Sequence, residues 1–225
     1  MVISAIIFSP FAIMSGFLPI IPRMRFISLW AKFISMWLRI ACKINYEVDG
    51  LGHLPHSPTV VLSKHQSAWE TIVFQIILPP HTWALKKEAL WIPFFGWGLA
   101  ATKPIAINRR KRHRALDQLI SQGAERLAEG RWVVIFPEGS RMAPGQQGSY
   151  SPGGAMLAIK AGVPIIPIAQ NAGVYWGRRK FVKYPGTISV CIGPVIETKG
   201  KNIREVNREA ETWIENKMKT LARQI

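Results

Sequence analysis

A histidine and a glutamate stand five residues apart in the stretch Ser-Lys-His-Gln-Ser-Ala-Trp-Glu, residues 63–70, which follows an apolar run of strand length. Side chains with this spacing in one helix point about 140° apart, so His65 and Glu70 can meet only if the histidine precedes the helix. In that geometry the carboxylate holds one imidazole nitrogen and leaves the other to take a proton from a substrate hydroxyl. The stretch is therefore a candidate general base with its partner.

The same stretch also fits a purely structural role. Ser67, Ala68, Trp69 and Glu70 form a capping-box sequence, in which the serine caps a helix and the glutamate reaches back to the backbone. Taken alone, these residues leave the two roles of Glu70 open. Other parts of the chain must decide between them.

A second polar cluster follows a strong strand pattern. The sequence Phe-Pro-Glu-Gly-Ser-Arg, residues 136–141, predicts a sharp turn that places a carboxylate and a guanidinium at the carboxyl end of that strand. Arg141 offers a planar fork that matches phosphate oxygens, and Glu138 can accept from a hydroxyl or brace the loop. For this stretch taken alone, an ordinary surface turn is the alternative.

A third stretch runs from Lys86 to Arg109, where another strand pattern ends. Lys87 and Arg109 are candidate substrate-binding residues, and Arg109 is a second candidate ligand for a phosphate group. A fourth stretch, Val-Pro-Ile-Ile-Pro-Ile at residues 163–168, reads as a buried strand with prolines at defined positions. Simple sheet core is the competing interpretation of that strand.

The elements that must position these residues alternate between strand and helix along the chain. Strand patterns cover residues 59–63, 83–85, 104–107, 132–136, 163–168 and 187–192, and helical patterns cover residues 68–77, 91–100, 112–128, 154–161 and 202–224. This alternation predicts an α/β fold with a mixed, largely parallel sheet flanked by helices, in one domain over residues 46–225. Ligands of such folds bind at the carboxyl ends of the strands.

The first 22 residues contain no charged side chain and predict a helical segment that associates with a membrane. At a rise of about 1.5 Å per residue they would extend roughly 33 Å, close to a bilayer core of about 30 Å. Pro10, Gly16, Pro19 and Pro22 interrupt the segment. A bent helix that enters one leaflet is therefore as compatible with the pattern as a straight span.

A basic and aromatic helix is predicted directly after this segment, and residues 1–45 together form the predicted N-terminal membrane-associating unit. Its cations share one stripe and large apolar side chains lie on the other side, as suits the interface of an anionic membrane. The residues predicted to bind the membrane are Arg25, Phe26, Trp30, Lys32, Phe33, Trp37 and Arg39, with Lys43 on the cationic stripe and Ile34 and Leu38 on the apolar side. A core helix with a solvated face is the alternative. The excess of Lys and Arg predicts that the rest of the chain stays cytoplasmic.

The composition excludes a disordered protein and favours a polyanionic partner. Hydrophobic residues make up 48% of the 225 residues and charged residues 19%, which leaves enough apolar surface for a core. The 29 Lys and Arg against 13 Asp and Glu give a net charge of +16, which attracts anionic lipid, phosphorylated substrates or nucleic acid. The 2 cysteines form no C-x-x-C pair and the histidines show no metal-ligand spacing, so no metal is predicted.

The order and spacing of the four stretches resemble the glycerolipid acyltransferase family over about residues 45–195. The family's motifs are a His followed after four residues by an acid, a segment ending at an Arg, the sequence Phe-Pro-Glu-Gly-Thr/Ser-Arg, and a Val-Pro-Ile-Ile-Pro strand. The resemblance implies that His65 is the general base and Glu70 its partner. It also implies that Arg109, Glu138, Gly139 and Arg141 form part of the acceptor site, and Lys87 and Ser140 are further residues expected to bind substrate.

Three positions depart from the family's usual residues. Glu70 stands where Asp is commoner, Lys64 stands where Asn often precedes the histidine, and Ser140 stands where Thr is frequent. The extra methylene of Glu70 changes the reach to His65 but keeps the charge, so the chemistry is expected to survive. Lys64 is expected to tune the acceptor site.

An acyl transfer reaction is what the resemblance implies. The hydroxyl of 1-acyl-sn-glycerol-3-phosphate gives its proton to His65 and attacks an acyl thioester, from acyl-CoA or acyl carrier protein. One ternary complex then yields phosphatidate, with no cofactor besides the thioester and no acyl-enzyme. The sequence agrees, because it has no G-x-S-x-G nucleophile elbow. The expected location is the cytoplasmic face of the inner membrane, with an anionic membrane and no nucleic acid as partner.

Two other functions stay open at this point. The acceptor can be another lysolipid, such as a lyso-aminolipid, in which case the phosphate role of Arg109 and Arg141 is weaker. A basic membrane-surface or nucleic-acid-binding protein without catalysis is supported only by the net charge of +16 and by the N-terminal helix.

Overall fold

The computed structural model describes residues 2–108 and 112–222, so Arg109 lies outside the described residues. The helices are α1 Val2–Met14, α2 Ile20–Cys42, α3 Trp69–Ile77, α4 Phe95–Ala100, α5 Arg112–Ala128, α6 Gly153–Ala161, α7 Ala172–Tyr175 and α8 Ile203–Ala222. The strands are β1 Ile44–Asp49, β2 Val60–Ser63, β3 His81–Lys86, β4 Ile105–Ile107, β5 Trp132–Ile135, β6 Ile165–Gln170 and β7 Gly186–Ile192. Short 3-10 helices cover Ser15–Phe17, Leu51–His53 and Lys87–Trp91.

The strands of the described chain form one sheet in the order β1-β7-β6-β2-β5-β3-β4. β6 and β7 pair antiparallel, with Ala169 opposite Cys191, and the other neighbours pair parallel. The carboxyl ends of β2, β3, β5 and β6 therefore meet at one edge of the sheet. This mixed, largely parallel sheet with flanking helices confirms the predicted fold class.

Helices cover both faces of the central strands. Every side chain of β2, sequence VVLS, and of β5, sequence WVVI, is buried, as expected for parallel strands covered on both sides. On one face α5, α6 and α8 pack around a cluster that includes Leu157 and Ile214. On the other face α2 and α3 pack around Phe74 and Ile34. These two layers fix the strand ends that carry the polar clusters.

Strand β1 is an element that the sequence pattern does not predict. It lies at the edge of the sheet, pairs with β7 and buries only its first side chain fully, so its sequence INYEVD carries little apolar signal. The predicted basic helix consequently ends at Cys42, where Lys43 takes a left-handed conformation with φ of 53°. The predicted division of the chain after residue 45 stays a prediction.

The predicted helix over residues 91–100 is shorter than expected. Ile92 is extended because a proline follows it, and α4 begins only at Phe95. α4 packs on α1, where a Cβ added at Gly98 would lie 3.7 Å from Ser9. The N-terminal segment is therefore in contact with the α/β fold.

Helix α2 is partly a core helix, which corrects part of the predicted membrane face. Ile34 and Leu38 are 1% and 2% exposed and pack beside α3 instead of facing lipid. A helical stripe of apolar residues does not reveal whether protein or lipid covers it, which is the reason for the error. The exposed charged and large apolar side chains of α2 are Arg25, Leu29, Lys32, Phe33, Met36, Trp37, Arg39 and Ile40.

Helix α1 covers a further part of α2. Phe26 stacks on Phe8 with ring centroids 5.7 Å apart, and Trp30 Nε1 donates to Ser4 Oγ at 3.3 Å. We use "apolar helical surface" for the exposed apolar side chains of this region: Ile3, Ile6, Ile7, Phe11, Ile13, Met14, Phe17, Leu29, Phe33, Met36, Trp37 and Ile40. Among residues 2–108 and 112–222, no helix combines the length and apolar character that crossing a membrane requires.

Candidate active site

His65 lies at the carboxyl end of β2, in the link to α3, and its ring meets the carboxylate of Glu70. The His65 Nδ1 atom is 2.8 Å from Glu70 Oε1. The Glu70 side chain is 0% exposed and the His65 side chain is 14% exposed. The other ring nitrogen of His65, Nε2, hydrogen-bonds to no described residue. One nitrogen is thus held while the other remains available to a substrate.

The carboxylate of Glu70 also fulfils the structural role. Its Oε1 accepts from the backbone N–H groups of Gln66 and Ser67, both at 2.8 Å, and its Oε2 accepts from Ser67 at 3.1 Å. Ser67 Oγ in turn accepts from the backbone N–H of Trp69 at 3.2 Å. The two interpretations that the sequence leaves open therefore hold together. Backbone donors fix the carboxylate, and the fixed carboxylate orients the imidazole.

Residues at two neighbouring strand ends hold the His65 segment in place. Phe136, directly after β5, stacks on the imidazole with ring centroids 3.9 Å apart and an interplanar angle of 15°. Met142 N–H donates to the His65 carbonyl at 2.8 Å. Gln170, at the end of β6, donates its amide to the Lys64 carbonyl at 3.2 Å. The strand order β6-β2-β5 is what places these groups around the histidine.

A buried charge cluster lies beside the catalytic pair. Lys64 Nζ is 2.7 Å from Glu138 Oε1 and 2.8 Å from Glu215 Oε1, and the lysine side chain is 1% exposed. Nζ also donates to the Gln146 carbonyl at 3.0 Å. Tyr150 Oη donates to Glu215 at 2.8 Å. Burial, and then the hydrogen bond to Glu215, raise the pKa of Tyr150, so this phenol stays a neutral donor.

The sequence alone indicates only part of this charge cluster. Lys64 is noticed as a departure beside the histidine, but its partner Glu215 lies on α8, 151 residues away along the chain. The available signal is the position of Lys64, a cation between a buried strand and a buried helix start, which requires an acidic partner. Nothing local identifies which carboxylate supplies it.

Glu138 braces the turn that carries the predicted substrate-binding residues. Its side chain is 0% exposed. Its Oε1 accepts from Gly148 N–H at 2.9 Å, and its Oε2 accepts from His65 N–H at 3.4 Å. Of the two roles that the sequence allows for Glu138, this geometry favours bracing. Its contact with substrate stays a prediction.

The rest of the turn lies at the carboxyl edge of the sheet. Gly139 has a φ of 67°, a conformation that L side chains rarely adopt. Ser140 and Arg141 are half-buried. Within the described chain, the Arg141 guanidinium makes no hydrogen bond or ion pair. Lys87 follows β3 at the same edge, with its Nζ 6.0 Å from the centre of the Trp91 ring.

The structure thus brings some of the predicted site residues into direct contact, but not all of them. The structure joins His65, Glu70 and Glu138 directly, and it places Lys87, Gly139, Ser140 and Arg141 at the same sheet edge. The role of Arg109 stays a prediction, because this residue lies outside the described residues. No three His, Cys, Asp or Glu side chains of residues 2–108 and 112–222 are grouped so as to hold a metal ion.

Comparison with known proteins identifies the family. A model of the family described as acyltransferase matches residues 45–171. A 1-acyl-sn-glycerol-3-phosphate acyltransferase of Pseudomonas aeruginosa is 49% identical over 208 residues, which cover 89% of this chain and 80% of the relative. The alpha form of that enzyme in Mus musculus is 30% identical over 186 residues, which cover 81% of this chain and 65% of the relative.

A solved structure shares the fold. The crystal structure of the 1-acyl-sn-glycerophosphate acyltransferase PlsC from Thermotoga maritima matches with a TM-score of 0.81 at 20% identity, over 98% of this chain and 90% of that one. The family model covers more than half of the sequence, including the His65–Glu70 pair and the turn at residues 136–141. The chain therefore belongs to the acyltransferase family.

Proposed function

We propose that this protein transfers a fatty acyl group from an acyl thioester to the free hydroxyl of 1-acyl-sn-glycerol-3-phosphate and so forms phosphatidate. The observation that carries the proposal is the His65–Glu70 pair, with Nδ1 held at 2.8 Å and Nε2 without a protein partner in the described chain. The names of the relatives in Pseudomonas aeruginosa and Mus musculus support this acceptor.

The reaction follows from the available nitrogen of His65. Nε2 takes the proton of the acceptor hydroxyl while the hydroxyl oxygen attacks the thioester carbonyl carbon. The tetrahedral intermediate collapses, the carbon–sulfur bond breaks, and the leaving thiolate takes the proton from the imidazolium. The Glu70 side chain, held by backbone donors, stabilises the positive charge that develops on His65. Both substrates react in one complex, so no group of the protein is acylated.

The acceptor phosphate is proposed to bind at the turn of residues 136–141. The Arg141 guanidinium has a planar fork suited to phosphate and no protein partner among the described residues. Lys87, Arg109, Gly139 and Ser140 complete the proposed substrate-binding set. Glu138 supports this turn from below through Lys64, Gly148 and the His65 backbone.

The protein is proposed to act at an anionic membrane, on the cytoplasmic face of the inner membrane. The acceptor and product are lipids, and the apolar helical surface offers Phe33 and Trp37, 47% and 52% exposed, beside the exposed cations Arg25, Lys32 and Arg39. Aromatic side chains beside a row of cations suit the headgroup boundary. The acyl donor is acyl-CoA, acyl carrier protein or both, with no further cofactor.

Acyl transfer in detergent tests this function. Labelled acyl-CoA and labelled acyl carrier protein are each offered with 1-acyl-sn-glycerol-3-phosphate, with a lyso-aminolipid and with the monoacylglycerol that lacks the phosphate. We expect kcat/KM for 1-acyl-sn-glycerol-3-phosphate to be at least about tenfold above that for monoacylglycerol, because the Arg141 guanidinium has no ionic partner when the acceptor lacks a phosphate. A folded protein that transfers nothing to the phosphate acceptor from either donor contradicts the assignment.

A further inference from the structure

The loop between α7 and β7 is rich in basic and aromatic residues, and the proposed acyl transfer assigns them no role. Residues 177–185 read Gly-Arg-Arg-Lys-Phe-Val-Lys-Tyr-Pro, with four cations and no acid. Phe181 is 93% exposed, and Val182 and Tyr184 are 57% and 59% exposed. We call residues 177–185 the basic–aromatic loop. A phenylalanine side chain in water forgoes about 2 kcal/mol that burial would supply, so an exposed cluster of this kind indicates a binding surface.

The loop is anchored next to the active-site edge. Arg178 Nη1 donates to the Arg141 carbonyl at 3.3 Å, which links the loop to the proposed phosphate-binding turn. Tyr184 N–H donates to the Tyr175 carbonyl at 2.9 Å, which closes its base. Phe181 therefore projects from a loop whose two ends are held by the fold.

The same loop also adjoins the apolar helical surface. Gly186 N–H, directly after the loop, donates to the Lys43 carbonyl at 3.0 Å, and Lys43 is the residue that ends α2. The last turns of α2 carry exposed Trp37 and Ile40. Exposed apolar side chains thus occur both in the basic–aromatic loop and at the end of α2, on either side of the hydrogen bond between Gly186 and Lys43.

Charge within the loop selects the kind of partner. Lys183 Nζ lies 4.7 Å from the centre of the Trp176 ring and 5.4 Å from that of Phe181. Arg179 and Lys180 directly precede the exposed phenylalanine in the sequence and are themselves exposed. Apolar side chains ringed by cations match a lipid interface, where acyl chains lie beneath a layer of phosphates. The continuity with the exposed apolar side chains of α2 favours a membrane over an acidic carrier protein as the partner of this loop.

We propose that the basic–aromatic loop is a second membrane contact, in which Phe181 and Val182 enter the headgroup boundary while Arg179, Lys180 and Lys183 bind lipid phosphates. This proposal of a second membrane contact rests on the proposed function only because both proposals place the protein at a membrane. With α2, the loop holds the carboxyl edge of the sheet against the lipid surface, where the acceptor hydroxyl lies.

Vesicle partition of the full chain tests the loop. Neutral phosphatidylcholine vesicles and vesicles with about 30 mol% phosphatidylglycerol are compared at about 0.1 M and about 0.5 M salt. The variant F181A/V182A is expected to partition about tenfold more weakly onto anionic vesicles at both salt concentrations. The variant R179Q/K180Q is expected to lose about tenfold at low salt and little at high salt, because salt screens its contribution.

Matched control variants lie at the opposite edge of the sheet. Leu51→Ala removes an apolar side chain that is 51% exposed after β1, and Lys199→Gln removes an exposed cation after β7. Both are expected to partition as the wild type does. Thermal unfolding of every variant establishes that the protein is folded.

The outcomes separate the loop from the wider proposal. Loop variants that bind vesicles as tightly as the two controls overturn the loop's role while leaving the proposed function intact. A wild type that binds neither vesicle overturns the proposed membrane location as well. Loop variants that lose affinity for purified acyl carrier protein but keep wild-type vesicle partition overturn the choice of lipid as partner.

Discussion

The edge of the sheet that carries His65 and Glu70, here called the catalytic edge, and the apolar helical surface differ in which side chains they bury and which they expose. At the catalytic edge charged groups are buried, and Glu70, Lys64 and Glu138 each have fixed partners within 2.8 Å. On the apolar helical surface large side chains such as Trp37 and Phe11 are exposed, 52% and 53%. Loss of one partner in the first region leaves a buried charge, whereas each side chain of the second contributes separately. Catalysis therefore requires one fixed arrangement of side chains, while membrane binding requires only that enough side chains each contribute some binding free energy.

The largest expected effect breaks the buried charge cluster. Lys64→Met leaves Glu138 and Glu215 without their cation and is expected to lower the free energy of unfolding by about 3–5 kcal/mol. Lys201→Met is the control, because its pair with Glu209 is 36% and 48% exposed and contributes about 0–1 kcal/mol. Denaturant unfolding in detergent measures both. Equal losses in the two variants would show that the cluster is not a buried ion pair.

The next prediction separates the two faces of α2. Ile34→Ala is expected to lower the free energy of unfolding by about 3 kcal/mol, because Ile34 is 1% exposed in the core. Trp37→Ala is expected to leave stability within about 0.5 kcal/mol and to weaken partition onto anionic vesicles severalfold. Stability and partition are measured on the same preparations. Loss of stability in Trp37→Ala with unchanged partition would place this face against protein instead of lipid.

A third prediction separates the two roles of Glu70. Glu70→Gln keeps an oxygen that accepts from the Ser67 backbone but removes the negative charge opposite the imidazolium. We expect kcat to fall by about 10²-fold with little change in the unfolding temperature. Glu70→Asp keeps the charge and is expected to retain more activity than Glu70→Gln. If both variants unfold early and lose activity in parallel, the capping role alone explains the residue.

The smallest prediction concerns pH and a residue away from the catalytic edge. Burial lowers the pKa of His81 to about 4, and its Nδ1 bonds to the Pro79 carbonyl at 2.9 Å. The unfolded imidazole takes a proton below about pH 6.5, so the contribution of His81 to stability is lost between about pH 6.5 and pH 4 and is constant above that range. The expected loss at about pH 5 is about 2 kcal/mol relative to pH 8.

His81→Asn should remove that part of the pH dependence, while His56→Asn at an exposed position should not. Unfolding free energies of the three proteins across this range measure it. A wild-type slope that survives in His81→Asn assigns the acid sensitivity to other groups.

The contrast also explains what the sequence could predict. The His65–Glu70 pair and the turn at residues 136–141 follow buried strands whose apolar runs are unmistakable, so local pattern places them at one sheet edge. The contact between Lys64 and Glu215 depends on how α8 packs, and no local spacing encodes it. Edge strand β1 is missed because a half-solvated strand carries a weak pattern. The face of α2 that contains Ile34 is misassigned because lipid and protein core select the same apolar residues.

The most direct test of the account is the initial rate of phosphatidate formation by His65→Ala compared with wild type and with His56→Asn. We expect the His65→Ala rate to fall by at least about 10²-fold at an unchanged unfolding temperature, because the proton acceptor is gone while the fold persists. His56→Asn is expected to match the wild type. A folded His65→Ala protein that keeps its rate within about threefold of wild type would contradict the assignment of His65 as general base.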